Sequence, residues 1–242
     1  ICGKRGMFRN GLLKKENLPK HILLKLHKGE ILGVGGLSDC GMHDVGKVLF
    51  GLLKPETGEV LKDQKEPVKS ASWAVRHGIG YVSKNRDQES LMLISSIADN
   101  ICLPSLKDLT PFGPISDRKQ KQLAEKWSER MEVKADSVKV FCNTLSGGNK
   151  QKVVLAKWLG KGSDIMILDC PTRGIDVGTK AAIYQLIMQM KEEGKSILLI
   201  SEELQELIGM SDRIVLLRDG AVSGEFLRNE GLTEAKLIQK MI

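Results

Sequence analysis

The sequence predicts an α/β fold with a mainly parallel sheet, a small antiparallel β portion and a helical subdomain. Strand-sized apolar runs alternate with helical patterns near both ends of the chain, as at residues 31–34 and 165–169. Such alternation is typical of parallel strands covered by helices on both faces. Residues 95–131 between them have a helical pattern that is broken by prolines.

The first half of the chain supplies the following elements. We expect strands at residues 21–26, 31–34 and 79–82, and a helix at residues 44–53. A Lys28-Gly29-Glu30 turn precedes the second strand, and Pro55 with Gly58 ends the helix. The loop at residues 35–41 is rich in glycine and joins a buried strand to a helix.

Strand–helix alternation resumes in the second half. We expect strands at residues 165–169, 196–201 and 213–217, and helices at residues 178–191 and 203–210. Asp219-Gly220 is a strong hairpin signal, because both residues tolerate positive φ. Thr233 is placed to cap a last helix.

We predict a single domain over residues 1–242. Its α/β core comprises residues 1–83 and 153–242, and its helical subdomain comprises residues 84–152. A chain of this length buries a sizeable core, and its longest apolar runs are only strand-sized, too short to cross a bilayer. The chain begins with Ile1, so we expect a piece of a longer polypeptide.

Charge and cysteine content indicate which partners and which cellular compartment to expect. The net charge is +7 with five cysteines, and the pI is about 9.1. The basic residues are interleaved with acidic ones, which indicates solvated faces rather than a nucleic-acid surface. The cysteines are odd in number and scattered, with no His or Cys cluster at Cys40 or Cys170, so we expect reduced thiols in a cytosolic compartment.

The most informative motif is a Ser-Gly-Gly turn that opens a basic helix, at Ser146, Gly147, Gly148 and Asn149. Glycines let backbone N–H groups approach a phosphate, and a helix N-terminus carries positive potential. An apolar strand then ends in Asp169, where doubly wound proteins hold Mg²⁺. In this order the two features resemble the signature motif and Walker B strand of ATP-binding cassette (ABC) proteins, which have a P-loop NTPase fold.

The resemblance extends over residues 28–226. They are similar to the C-terminal cassette of the tandem ATP-binding proteins of ribose- and galactose-type sugar importers, and residues 172–178 carry the most specific match. Residues 209–214 and 223–226 add to it. The resemblance implies ATP and Mg²⁺ as cofactors and a second cassette as partner, expected in the N-terminal half of the same polypeptide. It also implies transmembrane permease subunits and a place at the cytoplasmic face of the membrane, with no nucleic acid.

The phosphate-binding loop departs from the family pattern. A P-loop needs Gly-x-x-x-x-Gly-Lys-Ser/Thr. The aligned positions are Gly36, Leu37, Ser38, Asp39, Cys40, Gly41, Met42 and His43. Met42 stands where the phosphate-binding lysine belongs, His43 where the Mg²⁺-binding hydroxyl belongs, and Asp39 adds a carboxylate. We expect these residues to bind nucleotide weakly in cis.

Three further catalytic positions differ. Cys170 stands where a glutamate polarises water, Lys84 where a Gln or Glu loop residue belongs, and Glu202 where the switch histidine belongs. A thiol of ordinary pKa is no such general base at neutral pH. Asp169 then remains as a weak metal ligand. Changes at so many catalytic positions suggest that selection for catalysis is relaxed over the whole cis site.

The intact signature turn leads to the functional expectation. We expect Ser146, Gly147, Gly148 and Asn149 to close in trans over a triphosphate held by the partner, while hydrolysis in cis is weak or inactive. The alternatives are a competent ATPase with atypical residues, a soluble ABC protein acting on nucleic acid, and a structural remnant. Asp176 supports the partner's site or caps a helix, residues 91–103 receive a permease helix or are an ordinary subdomain helix, and Phe8 is a weak candidate for stacking on adenine.

Overall fold

The computed structural model describes residues 22–55, 57–110, 115–228 and 231–242. Phe8 and the prolines at 111 and 114 lie outside the described residues, so the expectations placed on them stay predictions. The strands are β1 Ile31–Gly36, β2 Leu61–Lys62, β3 Glu66–Pro67, β4 Ile79–Val82, β5 Ile165–Asp169, β6 Ser196–Ile200, β7 Arg213–Arg218 and β8 Ala221–Leu227.

The helices lie between these strands in the order expected for crossover connections. They are α1 Met42–Phe50, α2 Ala71–Arg76, α3 Ile97–Cys102, α4 Leu106–Leu109, α5 Asp117–Arg130, α6 Gly147–Gly160, α7 Val177–Glu192, α8 Leu204–Met210 and α9 Glu234–Met241. A π-helical turn spans Arg86–Ser90, and 3₁₀ turns span Leu103–Ser105 and Cys142–Thr144.

The main sheet has six strands in the order β4-β5-β6-β1-β7-β8. The first five are parallel, and β8 is antiparallel to β7 through the predicted Asp219-Gly220 hairpin. Both hairpin residues have positive φ, 49° and 77°. The strands β2 and β3 form a separate antiparallel pair. The predicted fold class is therefore confirmed, including the small antiparallel portion.

Parallel pairing fixes where the functional loops lie. In the register, Val34 of β1 and Asp169 of β5 both pair with Ile200 of β6, and Val82 of β4 pairs with Leu168. The carboxyl ends of these four strands therefore lie side by side. The loops that follow them meet at one edge of the sheet, which is where α/β proteins of this kind bind ligands.

One predicted strand is wrong. Residues 22–26 alternate in burial as predicted, with Ile22 buried and Leu23 exposed, but they join neither sheet. The carbonyl of Lys25 instead accepts a hydrogen bond from the Arg213 side chain. The alternating pattern correctly indicated which side chains face the core. It carries no information on whether the segment pairs with another strand. His21 lies outside the described residues.

The helical segment forms where the sequence placed it. Helices α3, α5 and α6 contact one another, and α6 also packs on β4, where Trp158 lies next to Gly80. Because the predicted boundary between residues 152 and 153 falls inside α6, the division into core and subdomain stays a prediction. Ser146, Asp176 and Thr233 each accept a backbone N–H at the start of their helices, as N-caps do.

No helix in the described part of the chain has the length and apolarity required to cross a bilayer.

Gly33 is predicted to be essential for packing α8 on β1. A Cβ atom there would lie 3.0 Å from Ser211 Cβ and 3.2 Å from Leu207 Cδ2. Because the interior is close-packed, Gly33→Ala is expected to lower the free energy of unfolding by about 1–3 kcal/mol. Urea unfolding measures the change.

Gly209→Ala is the matched control, since nothing lies within 4 Å of a Cβ placed at that helical glycine. It is expected to leave stability unchanged or raise it by up to about 1 kcal/mol. Equal losses for the two variants would contradict the role assigned to Gly33.

Candidate functional site

Four side chains from the four loops meet at the carboxyl edge of the sheet. They are His43 from the start of α1, Lys84 after β4, Asp169 at the end of β5 and Glu202 after β6. All four were singled out from the sequence as replaced or weakened catalytic positions. The structure links them through His43, which contacts the other three, and we call the four residues the edge network.

His43 lies between the two carboxylates of the edge network. Its Nδ1 lies 2.6 Å from Asp169 Oδ1, and its Nε2 lies 3.4 Å from Glu202 Oε1. A neutral imidazole with its proton on Nδ1 donates to Asp169 and keeps Nε2 as an acceptor. Asp169 is buried, and its second oxygen accepts from the Tyr81 hydroxyl at 3.3 Å. Both oxygens of the predicted metal ligand are thus engaged by protein groups.

Lys84 supplies the positive charge of the edge network. Its ammonium donates to Glu202 Oε1 at 2.6 Å and lies 3.1 Å from His43 Nε2. The hydrogen bond from Lys84 is the largest cause that lowers the pKa of Glu202. An ammonium group therefore lies against the Glu202 carboxylate and the His43 imidazole.

The loop after β1 keeps its glycines but changes its contacts. Gly41 has φ 90° and caps α1, a conformation that favours glycine. A Cβ at Gly36 would lie 2.5 Å from the Leu217 carbonyl oxygen. Ser38 and Asp39 are exposed, whereas Met42 is fully buried in the hydrophobic core. The side chain at the lysine position is therefore directed into the core.

The two cysteines beside the site are poor nucleophiles. Burial, followed by the nearby Asp169 charge, raises the pKa of the Cys170 thiol to about 12, and burial also raises the pKa of Cys40. The ligand atoms of Cys170, His43 and Asp169 lie within 4.8 Å of one another. The expectation of no such cluster was wrong. The sequence did not reveal the cluster because 126 positions separate His43 from Asp169 along the chain. The protonated thiol and the Lys84 ammonium disfavour a metal ion there.

The signature turn makes a separate set of contacts. Ser146 is exposed and caps the 14-residue helix α6, and Asn149 Nδ2 donates to its Oγ at 3.1 Å. Gly148 is buried, and a Cβ there would lie 3.2 Å from Thr179 Cβ. No acidic residue lies in the first turn of α6. The exposed hydroxyl and the N–H groups of this turn form an anion-binding geometry.

The segment before α7 borders this turn. Asp176 caps α7 by accepting from the Thr179 N–H at 2.9 Å, so its capping role is confirmed. Val177, the next residue, is an apolar side chain with 85% exposure. Its exposed position is compatible with the second expectation for Asp176, contact with a partner, which stays a prediction.

Two contact residues were missed by the sequence analysis. Tyr81 donates to Asp169, and the Arg86 guanidinium donates to the carbonyls of Arg173 and Gly174. The pattern indicated a buried strand residue at Tyr81 and a polar segment around Arg86. No spacing signal links either residue to its partner, since these contacts span 87 or 88 positions.

The parallel sheet, the glycine loop at its edge and the Ser-Gly-Gly helix start together define a nucleotide-binding cassette. The family model for ABC transporters matches residues 19–173, and the chain belongs to this family. It is 38% identical over 234 residues to the ribose import ATP-binding protein RbsA of Bacillus licheniformis, covering 96% of this chain and 45% of that protein. The protein of the same name from Bacillus subtilis is 40% identical over 210 residues, covering 86% and 43%. This chain therefore spans about half the length of these relatives.

Solved cassettes share the fold. A dimeric cassette in a post-hydrolysis state bound to ADP and Pi superposes with a TM-score of 0.75 at 24% identity, covering 87% of this chain and 90% of that chain. The ADP conformation of another ABC transporter cassette gives 0.76 at 18% identity, covering 93% and 96%. At these identities the likeness establishes the fold alone.

The Lys84–Glu202 pair is predicted to make stability depend on pH. The pKa of Glu202 is lower in the folded protein than in the unfolded chain, so its carboxylate stabilises the fold above about pH 4.5 and loses that effect below it. Lys84→Met is expected to reduce the free energy of unfolding by about 0.5–1 kcal/mol at pH 7, allowing for solvent screening, and by less near pH 3.5.

Urea unfolding at both pH values measures the difference between wild type and variant. Lys121→Met is the control, because Lys121 is 61% exposed and lies 3.6 Å from Glu125. A Lys84→Met effect that is as large at pH 3.5 as at pH 7 would contradict the ion pair.

Proposed function

We propose that this chain is a nucleotide-binding cassette of a sugar-class ABC importer whose own ATP site is degenerate. In this proposal it pairs with a second cassette, the other half of the same polypeptide, and supplies its signature motif to the ATP site of that partner. The pair drives transmembrane permease subunits from the cytoplasmic face of the membrane. ATP and Mg²⁺ are the cofactors, and they are held by the partner.

The observation that carries the proposal is the edge network. Lys84, Glu202, His43 and Asp169 satisfy one another at the positions where a competent cassette binds Mg–ATP. The ammonium lies 2.6 Å from Glu202, and His43 and Tyr81 engage both oxygens of Asp169. Mg²⁺ demands free oxygen ligands in octahedral geometry, so the cis residues do not fit the metal.

The loop also fails to fit a triphosphate. The core burial of Met42 leaves the loop without the lysine that contacts β- and γ-phosphates. Asp39 adds an exposed carboxylate to the loop. A carboxylate beside the phosphates repels them, although solvent screens part of this repulsion at an exposed position. Loss of attraction and added repulsion act in the same direction.

The contacts within the edge network suggest a different reason for the replaced catalytic residues of the cis site. The sequence alone suggested relaxed constraint on the whole cis site, which predicts unrelated substitutions. The replacements instead complement one another, because the Lys84 ammonium pairs with Glu202 and the His43 imidazole contacts Asp169. This supports a cis site rebuilt as a protein-only ion network, in which the changed residues hold the loops together.

The trans role is supported by the signature turn. Ser146 Oγ is exposed, and the N–H groups of Gly147 and Gly148 begin a helix whose first turn has no acidic residue. These groups would bind and orient a γ-phosphate through hydrogen bonds and the helix dipole. When bound, ATP supplies the phosphoryl transfer chemistry. This chain's residues hold the phosphate and exclude water from the closed interface.

The transported class and the permease partner come from the relatives. The proteins that match are named as ribose import ATP-binding proteins. Residues 91–103, proposed to receive a permease helix, carry three exposed apolar side chains, Met92, Ile94 and Leu103. These side chains support a docking role over that of an ordinary helix packed on all its apolar positions.

Weak nucleotide binding in cis is the first prediction of this proposal. Calorimetry of MgATP with the isolated chain is expected to give a dissociation constant in the millimolar range or weaker. The reason is that Met42 replaces the phosphate-binding lysine and that protein groups engage both oxygens of Asp169. Micromolar affinity would contradict the proposal and favour the alternative of a competent ATPase with atypical residues.

Loss of partner hydrolysis on Ser146→Ala is the second prediction. In the assembled transporter, Ser146→Ala is expected to lower the ATPase kcat by about 10²-fold, as loss of a preorganised donor to developing charge does. Steady-state ATPase assays measure the change.

Ser116→Ala is the matched control, since Ser116 caps the 14-residue helix α5 in the same way. Its ATPase activity is expected to match wild type. Unchanged hydrolysis in Ser146→Ala would contradict the trans role of the signature motif and favour the alternative of a structural remnant.

A further inference from the structure

Arg86 connects three parts of the molecule at the signature turn. It is the first residue of the π-helical turn after β4. Its Nη1 donates to the Arg173 carbonyl at 2.7 Å, and its Nη2 lies 3.4 Å from the Gly174 carbonyl oxygen. The same Nη2 lies 3.0 Å from the position of a Cβ at Gly147. The guanidinium thus fills the space between residues 173–174 and the first residue of α6.

The charge of Arg86 is weakly compensated. Its side chain is only 16% exposed, and its Nε is buried with no hydrogen-bond partner among the described residues. The nearest carboxylate, that of Asp87, lies 3.8 Å from this Nε. Burial lowers the pKa of Arg86, but an arginine keeps its charge in proteins. Desolvating a charge is costly, so its position next to an anion-binding turn calls for an explanation.

The segment that carries Arg86 is fixed at both ends. Lys84 joins it to the edge network. On the other side, Lys150 of α6 lies 2.8 Å from Asp87, and Lys157 of α6 donates to the Ser90 carbonyl. Burial lowers the pKa of Lys157 to about 8. The guanidinium is therefore held in place by its neighbours along the chain.

We propose that Arg86 is a positioning residue for the ATP site of the partner cassette. Its two N–H groups clamp the backbone of residues 173–174 against Gly147. Its charge adds to the positive potential at the start of α6, where the γ-phosphate of the partner would bind. This inference rests on the trans function proposed above.

The test is the ATPase activity of the assembled transporter with Arg86→Gln and Arg86→Lys. Arg86→Gln is expected to lower kcat about 10- to 100-fold, as loss of charge-assisted hydrogen bonds does. The KM for ATP is expected to change less than about threefold, because the partner's own loop holds most of the nucleotide. Arg86→Lys is expected to stay impaired about tenfold, since an ammonium cannot reproduce the planar fork.

Arg218→Gln is the matched control, because Arg218 is 51% exposed and lies 3.5 Å from its neighbour Asp219. Its kcat is expected to equal that of wild type. Urea unfolding verifies that each variant is folded. If Arg86→Gln does not fold, the kcat of Arg86→Lys tests the positioning role. Wild-type kcat in Arg86→Gln, or full activity in Arg86→Lys, would overturn the positioning role.

Ser146→Ala, measured in parallel, separates this inference from the proposed function. If Ser146→Ala leaves hydrolysis unchanged, the trans function itself fails. If Ser146→Ala is impaired and Arg86→Gln is not, only the role of Arg86 fails. In the double variant, the loss is expected to be smaller than the product of the single losses, because both residues act on one turn. Multiplicative losses would count against Arg86 acting through the signature turn.

Discussion

A parallel sheet brings the loops after its strands to one edge, and this constraint places the four residues of the edge network. The strands β4, β5, β6 and β1 end side by side, so Lys84, Asp169, Glu202 and His43 meet although up to 159 residues separate them along the chain. Their ion pairs and hydrogen bonds depend on this register. A slip of one residue in any of these strands would turn its end residues to the opposite face.

The positive charge at this edge comes from a different loop than in a competent cassette. The cation of the network comes from Lys84, on the loop after β4, whereas a competent P-loop places its lysine at the position of Met42. Lys84 reaches Glu202 and His43 but belongs to the segment that also carries Arg86. The edge network and the signature turn are therefore linked through residues 84–90.

The fold was largely predictable because it follows from patterns that are local in the chain. Alternating apolar runs, the Asp219-Gly220 hairpin and the cap at Thr233 each act over a few residues. The Ser-Gly-Gly turn and the strand that ends in Asp169 are equally local, and their order along the chain was enough to indicate the family. Residues 22–26 were assigned wrongly because their alternation has a second cause, namely packing against the core without strand pairing.

The contacts of the site were less predictable because they join distant segments. The sequence located His43, Lys84, Asp169 and Glu202 one by one, through their alignment with a motif. It could not reveal that they satisfy one another, since hydrogen bonding across loops leaves no spacing signal. Arg86 was invisible for the same reason, because its acceptors are backbone carbonyls, which every residue possesses.

The burial of Met42 has an evolutionary consequence. A lysine placed there by one mutation would enter a hydrophobic pocket occupied by a fully buried side chain, at the cost of an unpaired charge in the core. A reversal at Lys84 or Glu202 alone would break an ion pair before any nucleotide could compensate for it. On the function proposed above, each step back toward a working phosphate cradle is unfavourable by itself, so the proposed loss resists reversal.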